Sequence, residues 1–277
     1  MRGKSQSHGG SLTDSEPDHA GSFPVASRQC VPAAVTTESG PAAGAGREGA
    51  TEVHTAVDGG RLRLVPGDGP TVVFLHGAGS GVDTPLFNAL ATALAAGGAR
   101  IGRLEMPYRV AGRRAPDRAA RLDAVALTAV GAHVADTGRP FALAGVSMGS
   151  RVAMRVAGPL GARGVLALGF PLCPPGRTAA GEPKPSRQHE LDEVGLPVLV
   201  VQGERDPFGR PEPDASRERR LHLVRGGDHS FRTRVRDGRA PEEAVAEAAH
   251  VGAAYLLDLL GPLGPLGPLD VSLPARI

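Results

Sequence analysis

Four short segments of this 277-residue chain carry residue types suited to nucleophilic acyl chemistry. The first is Gly145-Val146-Ser147-Met148-Gly149, set between the apolar run FALAG and the helix-like SRVAMRVA. A Gly-x-Ser-x-Gly turn between strand and helix holds its serine backbone strained and lifts the hydroxyl clear of the sheet edge. A Cβ two residues before or after the serine would collide with so tight a turn, which accounts for Gly145 and Gly149. The second segment, His76-Gly77-Ala78-Gly79-Ser80, directly follows an apolar β-branched run. A loop at that place supplies a backbone donor for an oxyanion, so the N–H groups of Ala78 and Met148 are the expected pair. The third and fourth are Gln202-Gly203-Glu204-Arg205-Asp206-Pro207 and Gly226-Gly227-Asp228-His229-Ser230, each just past another apolar run. A serine hydroxyl is a poor nucleophile until a base takes its proton. His229 is the expected base, and Asp206 is expected to fix its tautomer and stabilise the imidazolium.

Competing assignments are weaker. Glu105 also follows a strand-like run and is an alternative acid. Asp228 adjoins His229, but neighbouring side chains usually diverge. His76 reads as a histidine that orients its loop. Gly79, Tyr108 and Arg109 are the expected pocket residues. Arg232, Arg234 and Arg236 read as a solvated loop, with an anionic substrate as the other possibility. His54, His133, His189, His222 and His250 show no ligand spacing, so no metal and no organic cofactor is expected. The glycines after His76 form neither a dinucleotide fingerprint nor a Walker loop.

The elements that must position these segments follow from periodicity. Residues 71–76, 99–106, 141–146, 165–172, 197–202 and 221–224 read as strands, and 84–96, 119–134, 148–157 and 242–260 as helices. Residues 51–65 read as a hairpin turning at Asp58-Gly59-Gly60. Short apolar strands alternating with helices predict an α/β fold, a mostly parallel, doubly wound sheet covered on both faces. All four loops then converge on the carboxyl edge of the sheet. Residues 174–196, between two strands, are too few for a large cap domain. Residues 1–50 are rich in Ser, Gly, Ala and Pro and read as a disordered segment, 51–260 as the folded domain, and 261–277, with Gly-Pro-Leu three times over, as a flexible tail.

Composition sets the outer limits. Apolar residues make up 41%, enough for one core, and with 3% aromatics and no Trp that core must be aliphatic. A net charge of +2 excludes a nucleic-acid binder driven by bulk charge. No run reaches the roughly 18 apolar residues of a membrane span, and the first residues lack a secretory apolar region. Cys30 and Cys173 are too few for a disulfide framework or an all-cysteine zinc site. A cytoplasmic chain with no membrane or nucleic-acid partner is the expectation.

Several motifs run longer than this chemistry alone needs: LHGAGSG (75–81), PYRVAGRRAPDR (107–118), AGVSMGSRVA (144–153), GFPLCPPG (169–176), LPVLVVQGERDPFG (196–209) and GGDHSF (226–231). Together they resemble the small α/β-hydrolase-like family whose animal members include a subunit of the NSL histone-acetyltransferase complex and a testis-expressed protein. The resemblance spans about residues 68–260. It implies an α/β-hydrolase fold without a large cap, with Ser147, Asp206 and His229 on the hydrolase positions. Two functions stay open. One is a serine hydrolase acting on an ester, thioester or related acyl bond of a small molecule. The other is a non-catalytic interaction module on the same fold. A dehalogenase fits poorly, because the nucleophile position carries Ser147 rather than a carboxylate.

Overall fold

The computed structural model describes residues 52–261; the expected disordered segment and the Gly-Pro-Leu tail lie outside the described residues, as does Cys30. Along the chain come β1 (Val53–Val57), β2 (Gly60–Leu64), β3 (Thr71–Leu75), α1 (Pro85–Ala96), β4 (Arg100–Glu105), α2 (Pro107–Val110), α3 (Ala119–His133) and β5 (Phe141–Val146). They are followed by α4 (Met148–Leu160), β6 (Val165–Leu168), α5 (Gln188–Asp192), β7 (Val198–Gly203), β8 (Arg219–Val224) and α6 (Pro241–Leu260). The eight strands form one sheet in the order β1-β2-β4-β3-β5-β6-β7-β8. The hairpin β1–β2 and the β2–β4 pair are antiparallel, and every other pair is parallel. From β3 the chain winds to β4 on one side and to β5 through β8 on the other. The crevice of a doubly wound sheet therefore opens above β3 and β5, the strands that lead into the His76 and Ser147 loops.

Side-chain alternation splits the parallel strands between two cores. Val73, Leu75, Leu143, Val165, Ala167, Val198 and Val200 pack under α3 and α4. Val72, Phe74, Ala142, Ala144, Leu166, Leu168, Leu199 and Val201 pack under α1 and α6. Both faces are covered, which is why these strands read as unbroken apolar runs. Among the described residues most aromatics are buried, and Phe74 stacks on Phe87 with centroids 4.7 Å apart.

Three of the boundaries that differ from expectation have a clear local cause. The hairpin turn is Asp58-Gly59, both left-handed at φ 48° and 80°, and Gly60 already pairs with Val57 as the first residue of β2. The strand expected over 165–172 stops at Leu168, because Gly169 turns the chain at φ 61°. The helix after Ser147 runs on to Leu160; Pro159 falls in its last turn, and the left-handed Gly161 closes it. Two short helices, α2 and α5, were not legible. Between β6 and β7 there is only α5 and irregular chain, with no cap domain among the described residues.

α5 has a task despite its length. Its Glu190 is buried and accepts two hydrogen bonds from Arg151 (2.8 and 2.6 Å) and one from Arg155 (3.2 Å), both on α4. Arg155 also makes a two-point contact with Asp123 of α3 at 2.7 Å. The helix that follows Ser147 is thereby clamped from both sides.

Candidate active site

Ser147 sits at the junction of β5 and α4 with φ 51° and ψ −112°, a conformation that costs a non-glycine residue energy. Its neighbours leave no alternative. A Cβ on Gly145 would lie 2.4 Å from Gly149 backbone, and one on Gly149 would lie 1.9 Å from the Leu75 carbonyl oxygen. The strain holds Ser147 Oγ 2.9 Å from His229 Nε2. On the other side of the ring, His229 Nδ1 is 2.8 Å from Asp206 Oδ2. A carboxylate facing Nδ1 places the ring hydrogen there, which leaves Nε2 with a lone pair to accept the Ser147 proton. The Asp206 side chain is fully buried, whereas the His229 side chain keeps 22% of its surface exposed. Phe208 stands edge-on to the imidazole with centroids 4.4 Å apart.

The loop after β3 is anchored from beneath. His76 is fully buried. Its Nε2 accepts the Met106 N–H at 3.0 Å, so Nδ1 carries the hydrogen and donates to the Gly77 carbonyl at 2.8 Å. Burial holds its pKa below the usual histidine value, outweighing the opposing pull of that hydrogen bond. The Tyr108 hydroxyl donates to the carbonyls of Ala78 (2.9 Å) and Gly77 (3.3 Å). A trans peptide points its N–H away from its carbonyl. With the Gly77 carbonyl drawn down to His76, the Ala78 N–H is turned away from the core. The loop borders the elbow, since a Cβ on Gly77 would fall 3.6 Å from Ser147 Cβ. Met148 opens α4, where N–H groups of the first turn lack intrahelical acceptors and the helix end is electropositive.

The sequence profile of the alpha/beta hydrolase domain family matches residues 68–256. The chain belongs to this family. Solved structures of similar fold include the thioesterase domain from the curacin biosynthetic pathway, 14% identical over 76% of this chain and 100% of that one, with TM-score 0.53. Est1E from Butyrivibrio proteoclasticus is 16% identical over 76% and 98%, with TM-score 0.51. An alpha-beta serine hydrolase homologue from Coxiella burnetii is 14% identical over 74% and 96%, with TM-score 0.50. At these identities the likeness is one of fold. No curated protein matches the chain.

Within this hydrolase fold the other expected residues take varied places. Gly79 and Arg109 are exposed beside the loop. Tyr108 is fully buried, under the loop rather than at an open pocket wall. Glu105 lies 3.7 Å from Arg61 and Asp228 Oδ1 caps the N–H groups of Ser230 and Arg232, so neither takes the place of Asp206. Arg234 pairs with Asp237. His54 and His222 face Glu52 and Glu247. Among the described residues no group of three or more His, Cys, Asp or Glu is placed to hold a metal ion, and no helix is long and apolar enough to cross a membrane.

Sequence reasoning missed the glycines that let the loops meet. A Cβ on Gly203 would lie 2.2 Å from the Asp228 carbonyl oxygen, and one on Gly169 would lie 2.9 Å from that of His229. It also missed Gln202, whose signal was a polar residue closing the buried strand VLVVQ.

Proposed function

We propose that the chain is a serine hydrolase that cleaves an ester, thioester or related acyl bond of a small molecule. The observation that carries this reading is the continuous line from Ser147 Oγ through His229 to Asp206, at 2.9 and 2.8 Å. In the first step His229 Nε2 takes the Ser147 proton as Oγ bonds to the acyl carbon. Charge on the former carbonyl oxygen is held by the N–H groups of Ala78 and Met148. The imidazolium, balanced by Asp206, returns the proton to the leaving group. Water then attacks the acyl-serine with His229 again as base. The uncapped sheet edge favours small or flexible acyl groups.

The resemblance to the group containing the NSL-complex subunit belongs to this reading too, and it brings the interaction module as a rival. Labelling with a fluorophosphonate decides between them. The folded wild type is expected to take the label, and Ser147→Ala to take none. On p-nitrophenyl esters of increasing chain length, Ser147→Ala is expected to lower turnover by about 10⁴-fold or more with the fold intact. A folded wild type that takes no label and hydrolyses no ester of the series would overturn the proposal.

A further inference from the structure

Gln202 is the last residue but one of β7 and is fully buried. Its amide makes four short contacts. Oε1 accepts the Phe170 N–H at 2.9 Å. Nε2 lies 2.7 Å from Asp206 Oδ2, 2.9 Å from the Gly209 carbonyl and 3.1 Å from the Phe170 carbonyl. This pattern fixes the amide's orientation. Turned over, it would set an oxygen against a carboxylate and two carbonyls, and an NH₂ against the Phe170 N–H. Two hydrogens serve three acceptors, and the shortest contact is to Asp206.

The same carboxylate oxygen, Oδ2, is the one that faces His229 Nδ1. The second oxygen, Oδ1, accepts the Phe208 N–H at 2.8 Å. The buried carboxylate is therefore held at both oxygens by protein donors, and its plane is set before it meets the imidazole. Through the Phe170 backbone, Gln202 also ties down the loop in which Gly169 packs against His229. One amide thus holds the acid and the strand end that borders the base.

We infer that Gln202 is a positioning residue for the hydrolysis proposed above, acting through Asp206 by holding its carboxylate aligned on His229. The inference rests on that hydrolase reading. It does not touch substrate, so its loss should be felt in the proton-transfer steps and not in binding. Hydrogen bonds to a charged group in a dry site are the strong ones.

The test uses the full chain with Gln202→Met, which nearly preserves volume and removes both donors, and Gln202→Glu, which keeps the shape but brings at most one hydrogen. Each is made alone and in an Asp206→Asn background, with melting curves for folding. Ester turnover and the rate of fluorophosphonate labelling are read together. The expected result is a roughly ten- to hundredfold fall in kcat and labelling rate, with KM within about twofold. In the Asp206→Asn background that loss should shrink towards none, since the two residues act as a unit. If Gln202→Met does not stay folded at the assay temperature, Gln202→Glu carries the measurement. Folded variants with wild-type kcat, or a loss undiminished beside Asp206→Asn, would overturn this inference alone. A folded wild type that takes no label and hydrolyses no ester would overturn the hydrolase reading and this inference with it.

Discussion

Gly149 lies so close to Leu75 that a Cβ on it would sit 1.9 Å from the Leu75 carbonyl oxygen. The contact joins the first turn of α4 to the end of β3, and so ties the Ser147 elbow to the His76 loop. No rotamer relieves a Cβ–backbone clash; one of the two segments must move. Gly149→Ala is expected to lower stability by about 3 kcal/mol, the upper part of the range for overpacking. It should also abolish labelling, because the loops that face Ser147 would separate. Denaturant unfolding and labelling of the same preparation check both parts.

Ser147 itself is a site of stored strain. At φ 51° and ψ −112° its conformation suits glycine better than any residue with a Cβ. Ser147→Gly should release about 1–3 kcal/mol of strain against up to about 1 kcal/mol for the greater freedom of glycine in the unfolded chain. Ser147→Ala keeps the Cβ and the strain. The glycine variant is therefore expected to melt several degrees above the alanine variant, with neither hydrolysing ester. A glycine variant that melts below the alanine variant would show that the elbow holds no such strain.

What could be read in the sequence, and what could not, divides along a physical line. Strand and helix positions were legible because both sheet faces are buried, which makes β3, β5 and β7 continuous apolar runs of distinctive composition. The segments around Ser147, Asp206 and His229 stood out because each joins turn glycines to a reactive residue just after such a run. Gln202 and Glu190 did not stand out, because their partners, Asp206 and Phe170 for one and Arg151 and Arg155 for the other, are set by how loops fold back. Tyr108 was placed in the right neighbourhood but on the wrong side of the loop. Exposure cannot be inferred for a residue in a four-residue helix, where the periodic signal is absent. Gly203 read as an ordinary turn residue and Gly169 as part of the strand expected over 165–172; the approach of the His229 loop, together with the positive φ of Gly169, shows why they lack side chains.

His76 gives a pH dependence whose sign follows from its burial. Its folded-state pKa is lowered from 6.5, chiefly by desolvation. As pH falls below about 6.5, the unfolded chain binds the proton before the folded one does, so the unfolded state gains. Stability contributed by the neutral buried ring is full above that value and declines as pH drops toward the folded-state pKa. Unfolding free energy measured from pH 8 down to pH 5 should therefore fall, and the fall should be smaller in a folded His76→Gln variant. An identical slope in the two proteins would count against a buried neutral imidazole.

Tyr108 offers a test of the loop geometry that leaves Ser147, His229 and Asp206 untouched. Burial pushes its pKa up to about 12, so the hydroxyl keeps its proton across any practical assay range. It donates to the Ala78 carbonyl at 2.9 Å, fixing the peptide that follows the expected oxyanion donor. Tyr108→Phe removes this hydrogen bond and leaves the ring, at a cost of about 1 kcal/mol for an uncharged pair. If that cost is paid in the transition state, kcat falls roughly fivefold while KM changes little, because the loop loosens without closing the site. The fluorophosphonate should still label Ser147, more slowly, since the proposed oxyanion donors would also hold its phosphoryl oxygen. A Tyr108→Phe enzyme with raised KM and wild-type kcat would instead place the hydroxyl among the substrate contacts, and would require the Gly77–Ala78 peptide to be held by His76 alone.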